Sequence, residues 1–448
     1  MNEFEDTIVA ISTPPGRGGI GIIRLSGLAA RAIAEPLLKL RHPLAPAQAR
    51  FAEILDSTGE TLDEAVVTFF EKPHSYTSED IVEIAAHGSP VLLDHLLRQC
   101  IAAGARLAEP GEFTQRAFLS GRLDLTQAEA VHDLIEATTL HQARIAAQQL
   151  GGSLSRQISP VKQQLIALIA SLEAGIDFAE DDIDTLPTAQ ITQQIEAIQT
   201  PLAALEQTFA YGKIIRDGFT LAIVGRPNAG KSSLFNRLVQ RDRAIVTATP
   251  GTTRDLVTER VSLDGIPVEL IDTAGLRHST DEAETIGIAK TREAMAEADI
   301  VLLVLDATAL LHPEDEATIS TLTNRPLIIA INKSDLTANT PLTHHPTIKT
   351  SALTGSGIQE LRTSILAHIT AAAPTSETAL LTNLRQQQSV SAALAALATA
   401  LRATANVIPH EMILLDLYES LHSLDALTGT TTSDDILNLI FSKFCIGK

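Results

Sequence analysis

One stretch, Gly225-Arg226-Pro227-Asn228-Ala229-Gly230-Lys231-Ser232, limits what this chain can fold into more than any other. It matches G-x-x-x-x-G-K-S, follows the apolar run "TLAIV" and opens into "SLFNRL". That is the strand, loop and helix order in which backbone N–H groups and a helix N-terminus cradle phosphates. Lys231 is then expected on the β and γ oxygens and Ser232 on Mg²⁺, with Asn228, Ala229, Gly230 and Ser233 as further nucleotide contacts. Around the loop, the short apolar runs "TLAIV", "VELI", "IVLLVL" and "LIIAI" alternate with polar or helical stretches. This texture predicts a mostly parallel sheet wrapped by helices over 216–373.

Three further motifs stand downstream in workable order. "DTAG" (Asp272, Thr273, Ala274, Gly275) follows a strand, where a carboxylate reaches the Mg²⁺ shell and a glycine amide senses the γ-phosphate. "NKSD" reads the base: Asp335 accepts from the ring N–H and exocyclic amine of guanine, a pair adenine does not offer. Asn332 and the stem of Lys333 are expected to orient and cover the ring, and "SAL" (Ser351, Ala352, Leu353) to supply a backbone contact to the guanine oxygen. Together these predict a Ras-like P-loop GTPase domain. "TATPGTTRD" is the expected switch loop, with Thr253 as second Mg²⁺ ligand. Ras-like enzymes place a water-orienting Gln after D-x-x-G, and this chain has Leu276 there. "GLRHSTDEAETIG" offers Asp281, Glu282 and Glu284 instead, any of which also fits a solvated acidic stretch.

The rest of the chain surrounds this domain. Ile195, Ile198, Leu202, Leu205 and Phe209, and before them Val161, Leu165, Leu168 and Leu172, step at helical spacing, as Leu414, Leu417, Leu421 and Leu424 do after the linker-like "AAAPTSE". The expected fold is α/β plus α: an N-terminal α+β domain (1–120), and a helical domain split into halves (121–215 and 374–448) by the inserted GTPase domain. A formal charge of −20 opposes broad non-specific contact with nucleic acid, so any such substrate is gripped locally or by a partner. No apolar run approaches a membrane span and "MNEFEDTIVA" lacks a basic n-region, which points to the cytoplasm and no membrane. Cys100 sits in the helix-like "LLDHLLRQCIAAG" and reads as core; Cys445 opens the terminal "CIGK", whose final Lys, Gly and acidic upstream stretch argue against a lipid anchor. "GRGGIG" (Gly16 to Gly21) fails as a dinucleotide loop because a strand-like "IIRLS" follows it rather than a helix; a glycine-rich turn close to a ligand fits better.

Over essentially its whole length the chain resembles the MnmE (TrmE) family of tRNA-modification GTPases. The resemblance rests on "DTIVAISTPPGRGGIGIIRLSG", "PGEFTQRAFLSGRLDLTQAEA", "GRPNAGKSSLFN", "GTTRD", "DTAGLR", "NKSD" and the terminal "FCIGK". It implies an N-terminal domain that forms a homodimer and binds a 5-formyl-tetrahydrofolate-type cofactor. It also implies action with a flavin (FAD)-dependent partner, MnmG, to place an aminomethyl or carboxymethylaminomethyl group on C5 of the tRNA wobble uridine.

The same resemblance assigns site residues. Asn228 aligns with a side-chain K⁺ ligand and Thr247, Thr249 and Thr252 with carbonyl ligands, Thr247 and Thr252 also touching the nucleotide, so that K⁺ stands where other systems insert an arginine. Glu284 aligns with the catalytic Glu. Folate contacts fall on Arg24, Glu83 and Lys448, and on Arg122 where the family usually has Lys, a change that keeps charge but not geometry. Cys445 is implied beside the chemistry. Two other functions compete: a ribosome-assembly GTPase switch, and an autonomous folate-dependent one-carbon transferase with a regulatory GTPase.

Overall fold

The structure is a computed structural model, and it describes residues 6–56, 58–177, 186–239, 257–272, 296–322, 325–336, 345–370, 379–430 and 434–447. The chain divides into two compact units, one comprising Met1–His132, Gln149–Ser155 and Leu421–Lys448, the other Asp133–Gln148 and Arg156–Ser420.

The first unit is built on seven strands, β1 (Ile8–Ile11), β2 (Gly18–Ser26), β3 (Leu38–Leu40), β4 (Ala49–Leu55), β5 (Thr61–Phe70), β6 (Ile81–Gly88) and β7 (Arg106–Leu107). They lie in the order β3-β4-β5-β6-β2-β1-β7, antiparallel except where β7 joins β1. Side chains alternate across a strand, so Ile23 and Leu25 enter the core while Arg24 faces the other way. That core is closed by α1 (Ala30–Ala34) and α2 (Pro90–Ala102), whose Leu96 and Cys100 are fully buried. Burying a side chain such as Leu96 stabilises the unit by about 1.5–3 kcal/mol. Burial also pushes the Cys100 thiol up to about 12, which suits a packing residue rather than a nucleophile.

The glycine-rich stretch differs from expectation. Gly18, Gly19 and Gly21 already belong to β2, across an irregularity in its pairing with β6. A Cβ on Gly21 would lie 2.3 Å from Leu93 Cδ1, and one on Gly88 2.6 Å from the Gly18 carbonyl oxygen. These two glycines let β2, β6 and α2 pack closely.

After α3 (Glu112–Leu119), α4 (Leu125–Glu136) packs Leu125 and Ala128 against Leu437, Phe441 and Phe444 of the C-terminal segment. The tail helix Asp434–Phe441 then leads to Ile446, which bridges to Pro110 beside β7. The C-terminus is thereby part of the N-terminal unit's structure.

In the second unit, α5 (Leu140–Leu150), α6 (Ser153–Asp177), α7 (Thr188–Gln207) and α8 (Phe209–Asp217) precede a six-stranded sheet. Ile191, Ile195, Ile198, Leu202 and Leu205 form the buried stripe of α7, the 3.6-residue period visible in the sequence. The sheet holds β8 (Phe219–Val224), β9 (Val257–Leu263), β10 (Ile266–Asp272), β11 (Ile300–Asp306), β12 (Leu327–Asn332) and β13 (Thr347–Lys349) in the order β13-β12-β11-β8-β10-β9. All neighbours are parallel except β9 with β10. Strand residues of alternate parity feed two cores. Leu221 and Ile223 pack with Leu234 of α9 (Lys231–Val239), and Ala222 and Val224 pack with Leu303 and, from α10 (Pro313–Thr321), Ile319. Helices on both faces of a parallel sheet make it doubly wound.

Past the sheet and α11 (Ile358–Thr370), the chain returns as α12 (Leu384–Ala405) and α13 (His410–Thr428). The return is sealed where the first half ended: Leu381 N–H donates to Thr208 Oγ1 at 3.0 Å, and a Cβ on Gly212 would lie 2.2 Å from the Leu381 carbonyl oxygen. Segments on either side of the sheet meeting in this way is the signature of an inserted domain. The expected linker "AAAPTSE" (371–377) lies outside the described residues.

Candidate functional site

β8 is the strand from which the chain order runs in opposite directions across the sheet, and ligands of such sheets sit at the carboxyl ends of the strands at that point. The phosphate loop begins there. Its backbone turns through the left-handed region at Gly225 (φ 143°), Asn228 (φ 62°) and Gly230 (φ 88°) before α9 starts at Lys231. Side chains are excluded at two points: a Cβ on Gly225 would meet the Val304 carbonyl oxygen at 2.3 Å, and one on Gly230 would meet Asn332 Nδ2 at 2.2 Å. The loop is thus pressed against both β11 and the base-reading segment, a cradle only glycine permits.

Lys231 is buried, and its Nζ donates to the carbonyls of Gly225 (2.8 Å) and Arg226 (2.9 Å), which holds the ammonium across the loop. Ser232 and Ser233 are exposed at the first turn of α9, where backbone amides and the helix dipole favour anions.

Asn332 closes β12 and is buried. Its Nδ2 donates to the Ala229 carbonyl at 3.0 Å while its Oδ1 accepts from Ala352 N–H, also at 3.0 Å. The side chain expected to orient the base therefore ties the phosphate loop to the Ser351–Leu353 segment. The Ala352 amide is engaged with it, Ser351 is fully buried and Leu353 is exposed. Lys333 follows with φ 63°, and its Nζ pairs with Asp306 Oδ2 at 2.6 Å. Asp306 ends β11 in register with Asn332. Partial burial raises the Asp306 carboxyl, but hydrogen bonds from Lys333 and Thr308 outweigh it and hold the group below the usual aspartate range. Asp306 went unremarked in the sequence, where the signal was a carboxylate closing an apolar strand beside N-K-S-D. Asp335, two residues after Lys333, is exposed.

Thr247, Thr249, Thr252, Thr253, Thr273, Ala274, Gly275 and Glu284 lie outside the described residues, as does the Asp272 side chain; Asp272 ends β10, opposite Val257 of β9. That pairing sets the last residue of β10 beside the first of β9. Among the described residues no group of His, Cys, Asp or Glu could hold a metal unaided. Mg²⁺ held through phosphate oxygens and a hydroxyl needs no such group, and Ser232 carries an exposed hydroxyl in the first turn of α9.

The candidate folate residues lie in the other unit. Arg24 and Glu83 are register partners on β2 and β6, paired at 2.8 Å. The Arg24 guanidinium carbon sits 5.9 Å from the Tyr76 ring centre and 5.6 Å from that of Phe113, and Nη1 donates to the Gly447 carbonyl at 3.4 Å. Arg122 donates to the carbonyl of Ser75, beside Tyr76. Burial raises the Tyr76 hydroxyl above the ordinary tyrosine range, and its oxygen pairs with Thr114 Oγ1 at 2.9 Å. Tyr76 and Phe113 were not foreseen; the signal was an aromatic residue in polar "HSYTSED" in a chain with only three tyrosines. Cys445 is exposed one residue before the Pro110–Ile446 bridge, and Lys448 lies outside the described residues.

A sheet that delivers a glycine-lined phosphate loop at its switch point, stitched by Asn332 to a base-reading edge, defines a GTP hydrolase of the P-loop class, which takes GTP with Mg²⁺. Family comparison makes this specific: residues 7–122 match the model of the GTP-binding protein TrmE N-terminus, and residues 125–445 that of the MnmE helical domain. The chain belongs to the MnmE family of tRNA modification GTPases. The tRNA modification GTPase MnmE of Koribacter versatilis is 58% identical over 99% of this chain and 100% of its own, and that of Acetivibrio thermocellus 40% identical over 99% of each. Among solved structures, Aquifex aeolicus Era bound to GDP and aluminium fluoride is 26% identical, with a TM-score of 0.28 over 40% of this chain and 66% of that one. No helix among the described residues is long and apolar enough to cross a membrane.

Proposed function

We propose that this chain is a K⁺-activated, cytoplasmic, dimeric GTPase that acts with a flavin-dependent MnmG-type partner and a formyl-tetrahydrofolate-type cofactor. The product is an aminomethyl or carboxymethylaminomethyl group on C5 of the tRNA wobble uridine. The observation that carries the reading is the docking of the C-terminal tail on the N-terminal sheet. Ile446 bridges Pro110, and the Gly447 carbonyl, two residues after Cys445, accepts from Arg24, which is itself paired with Glu83.

In the nucleotide site, phosphate oxygens would accept from the loop amides and from Lys231 after its Nζ leaves the Gly225 and Arg226 carbonyls. Ser232 and Thr253 would hold Mg²⁺, with Asp272 behind them, and Asn228 with the carbonyls of Thr247, Thr249 and Thr252 would hold K⁺. These cations supply charge that offsets what builds on the phosphate oxygens. Glu284 would orient the attacking water in place of the Gln that Leu276 replaces. Asp335 would accept two hydrogen bonds from guanine, with the Lys333 stem, fixed by Asp306, along the ring.

In the other unit, Arg24, Glu83, Arg122 and Lys448 would hold the folate, Arg24 and Arg122 facing its carboxylates and Glu83 a donor edge. The folate, when bound, supplies the one-carbon unit. The Cys445 thiol is exposed and so open to a reaction partner. The ribosome-assembly alternative calls for a KH-type RNA-binding domain after the GTPase sheet, whereas the described chain there continues into the long helices α12 and α13. The test is reconstitution of the chain with a flavin-dependent partner, tRNA, GTP, folate and K⁺, omitting one component at a time. Modified uridine that survives omission of the flavin protein would support a self-sufficient one-carbon transferase instead.

A further inference from the structure

We propose that the β3–β4 side of the N-terminal sheet binds a single-stranded loop of the tRNA substrate, a base stacking on Phe51 while Arg41 and Arg50 take phosphates; this rests on the tRNA-modification reading above. The chain's formal charge of −20 means that any RNA must be gripped locally. Residues 36–52 hold no Asp or Glu, and they carry Lys39, Arg41, His42 and Arg50.

The fold gathers these cations around the turn from β3 to β4, which is pinned to the sheet where Ala47 N–H donates to the Phe69 carbonyl at 2.8 Å. Arg50 Nε donates to the Pro43 carbonyl at 3.1 Å and Nη2 to Gln48 Oε1 at 2.7 Å, so neutral acceptors fix the guanidinium and Nη1 is left for a phosphate. The Arg41 guanidinium carbon lies 5.5 Å from the Phe51 ring centre, a cation–π contact. The acids that flank the stretch are already engaged: Glu53 holds Lys39 at 3.0 Å, and Glu35 holds Arg31 at 2.8 Å. Arg41 and Arg50 have no ion-pair partner among the described residues. Their charge is available to an anion.

Phe51 is 44% exposed, and its cross-strand partner Val66 47%. Register continues this row through Ala85 to Ile22, and the neighbouring row runs Ala49, Thr68, Glu83, Arg24. Alternation puts both rows on one face, opposite the buried Ala52, Ala65, Ile84 and Ile23. Phe51 and Arg24 are separated by the strand order β4-β5-β6-β2 and a two-residue offset, which is about 16 Å. An aromatic on an open sheet face, edged by arginines, is the arrangement on which unpaired RNA bases stack. With one base on Phe51, a nucleotide further along the same loop reaches Arg24 and the tail. A second copy of so acid-poor an edge would meet it with like charge, which favours RNA as the occupant.

The experiment is binding of an anticodon stem-loop RNA with an unmodified wobble uridine to the full-length protein, by fluorescence anisotropy over a range of KCl, with oligomeric mass and melting temperature recorded for every form. Wild type should bind the stem-loop about tenfold tighter than a fully paired duplex of equal length. Phe51→Leu, which keeps apolar volume but has no ring, should lose about tenfold for the stem-loop and nothing for the duplex, and Phe51→Tyr should keep the wild-type affinity. Arg41→Gln and Arg50→Gln should each lower the slope of log affinity against log salt by about 0.7, and Arg41→Lys should not. Equal wild-type binding of stem-loop and duplex overturns the proposal, and so do variants whose affinity and salt slope match wild type. A fall in oligomeric mass with Phe51→Ser also overturns it, by assigning the face to a second copy. The modification reading fails separately: wild type that binds the stem-loop in this way but yields no modified uridine with the flavin protein, folate, GTP and K⁺ contradicts that reading alone.

Discussion

Arg24 and Gly447 meet: the guanidinium of one donates to the carbonyl of the other across 423 positions of sequence, while holding Glu83 at 2.8 Å. The contact ties the tail to the proposed folate residues. Arg24→Ala, or loss of the last four residues, should lower folate affinity by about tenfold or more and abolish uridine modification. GTP hydrolysis should persist. Arg24→Lys should not rescue, because a point charge cannot hold Glu83 and Gly447 and lie over two rings at once. Equilibrium dialysis with labelled folate, run beside a phosphate-release assay, checks this.

GTP hydrolysis should be fast in K⁺ and slow in Na⁺, since the smaller ion fits the same cage of carbonyls poorly. Glu284→Ala should lose turnover while keeping nucleotide affinity. Steady-state rates in the two salts, with equilibrium binding of a fluorescent GDP, are the measurements. Equal rates would remove the cation mechanism, and a larger defect in Asp281→Ala or Glu282→Ala would name a different carboxylate.

Asp335→Asn should shift preference from GTP toward XTP, because an amide donates to the xanthine 2-oxygen where the carboxylate accepted from guanine. Asp306→Asn should weaken binding of both nucleotides by about tenfold, since it frees the Lys333 stem without changing the groups that read the base. Titrations of both nucleotides separate these outcomes: a change in preference belongs to Asp335, a uniform loss to Asp306.

Arg116 is 1% exposed and pairs with Asp6 (2.7 Å), Glu112 (2.9 Å) and Glu79 (3.1 Å). Arg116→Leu should destabilise the N-terminal unit by about 3–5 kcal/mol, because the buried Glu112 and the partly buried Glu79 lose a partner. Burial would raise the Glu112 carboxyl, but Arg106, the Glu109 amide and Arg116 hold it below its ordinary value, and the same two arginines lower Asp6. A lowered folded value contributes stability that is present above the unfolded pKa and lost as pH falls through the folded one. Wild-type protection should therefore fall below about pH 4, and the variant should show a shallower dependence there. Hydrogen exchange of β1 and β2 amides against pH reads this within the one unit.

Local patterns carried much of this into the sequence. The phosphate loop and N-K-S-D were legible because backbone geometry demands glycine, and base recognition a carboxylate, at fixed offsets. β9 and the Asp264-Gly265 turn after it were not expected, since "VTERVSL" alternates polar residues at a sheet edge. What eluded sequence was non-local. Nothing near Asn332 tells that its amide spans Ala229 and Ala352, and nothing near Asp306 names Lys333. The joining of Leu381 to Thr208, and of the tail to Arg24, depends on chain segments brought together by folding. Of the glycines at 16–21 only Gly21 is there for close packing, while Gly16 and Gly19 have open space where a Cβ would stand; close packing and close ligand approach ask for the same residue, so sequence does not separate them.

The most direct measurement is nucleoside mass spectrometry of tRNA from cells lacking this protein, complemented with wild type or with Cys445→Ser, alongside the GTPase rate of each purified form. The account predicts that the C5-modified wobble uridine is absent without the protein and returns with wild type. With Cys445→Ser it should stay absent although K⁺-stimulated GTP hydrolysis is nearly intact. Normal wobble modification in cells lacking the protein would contradict the account.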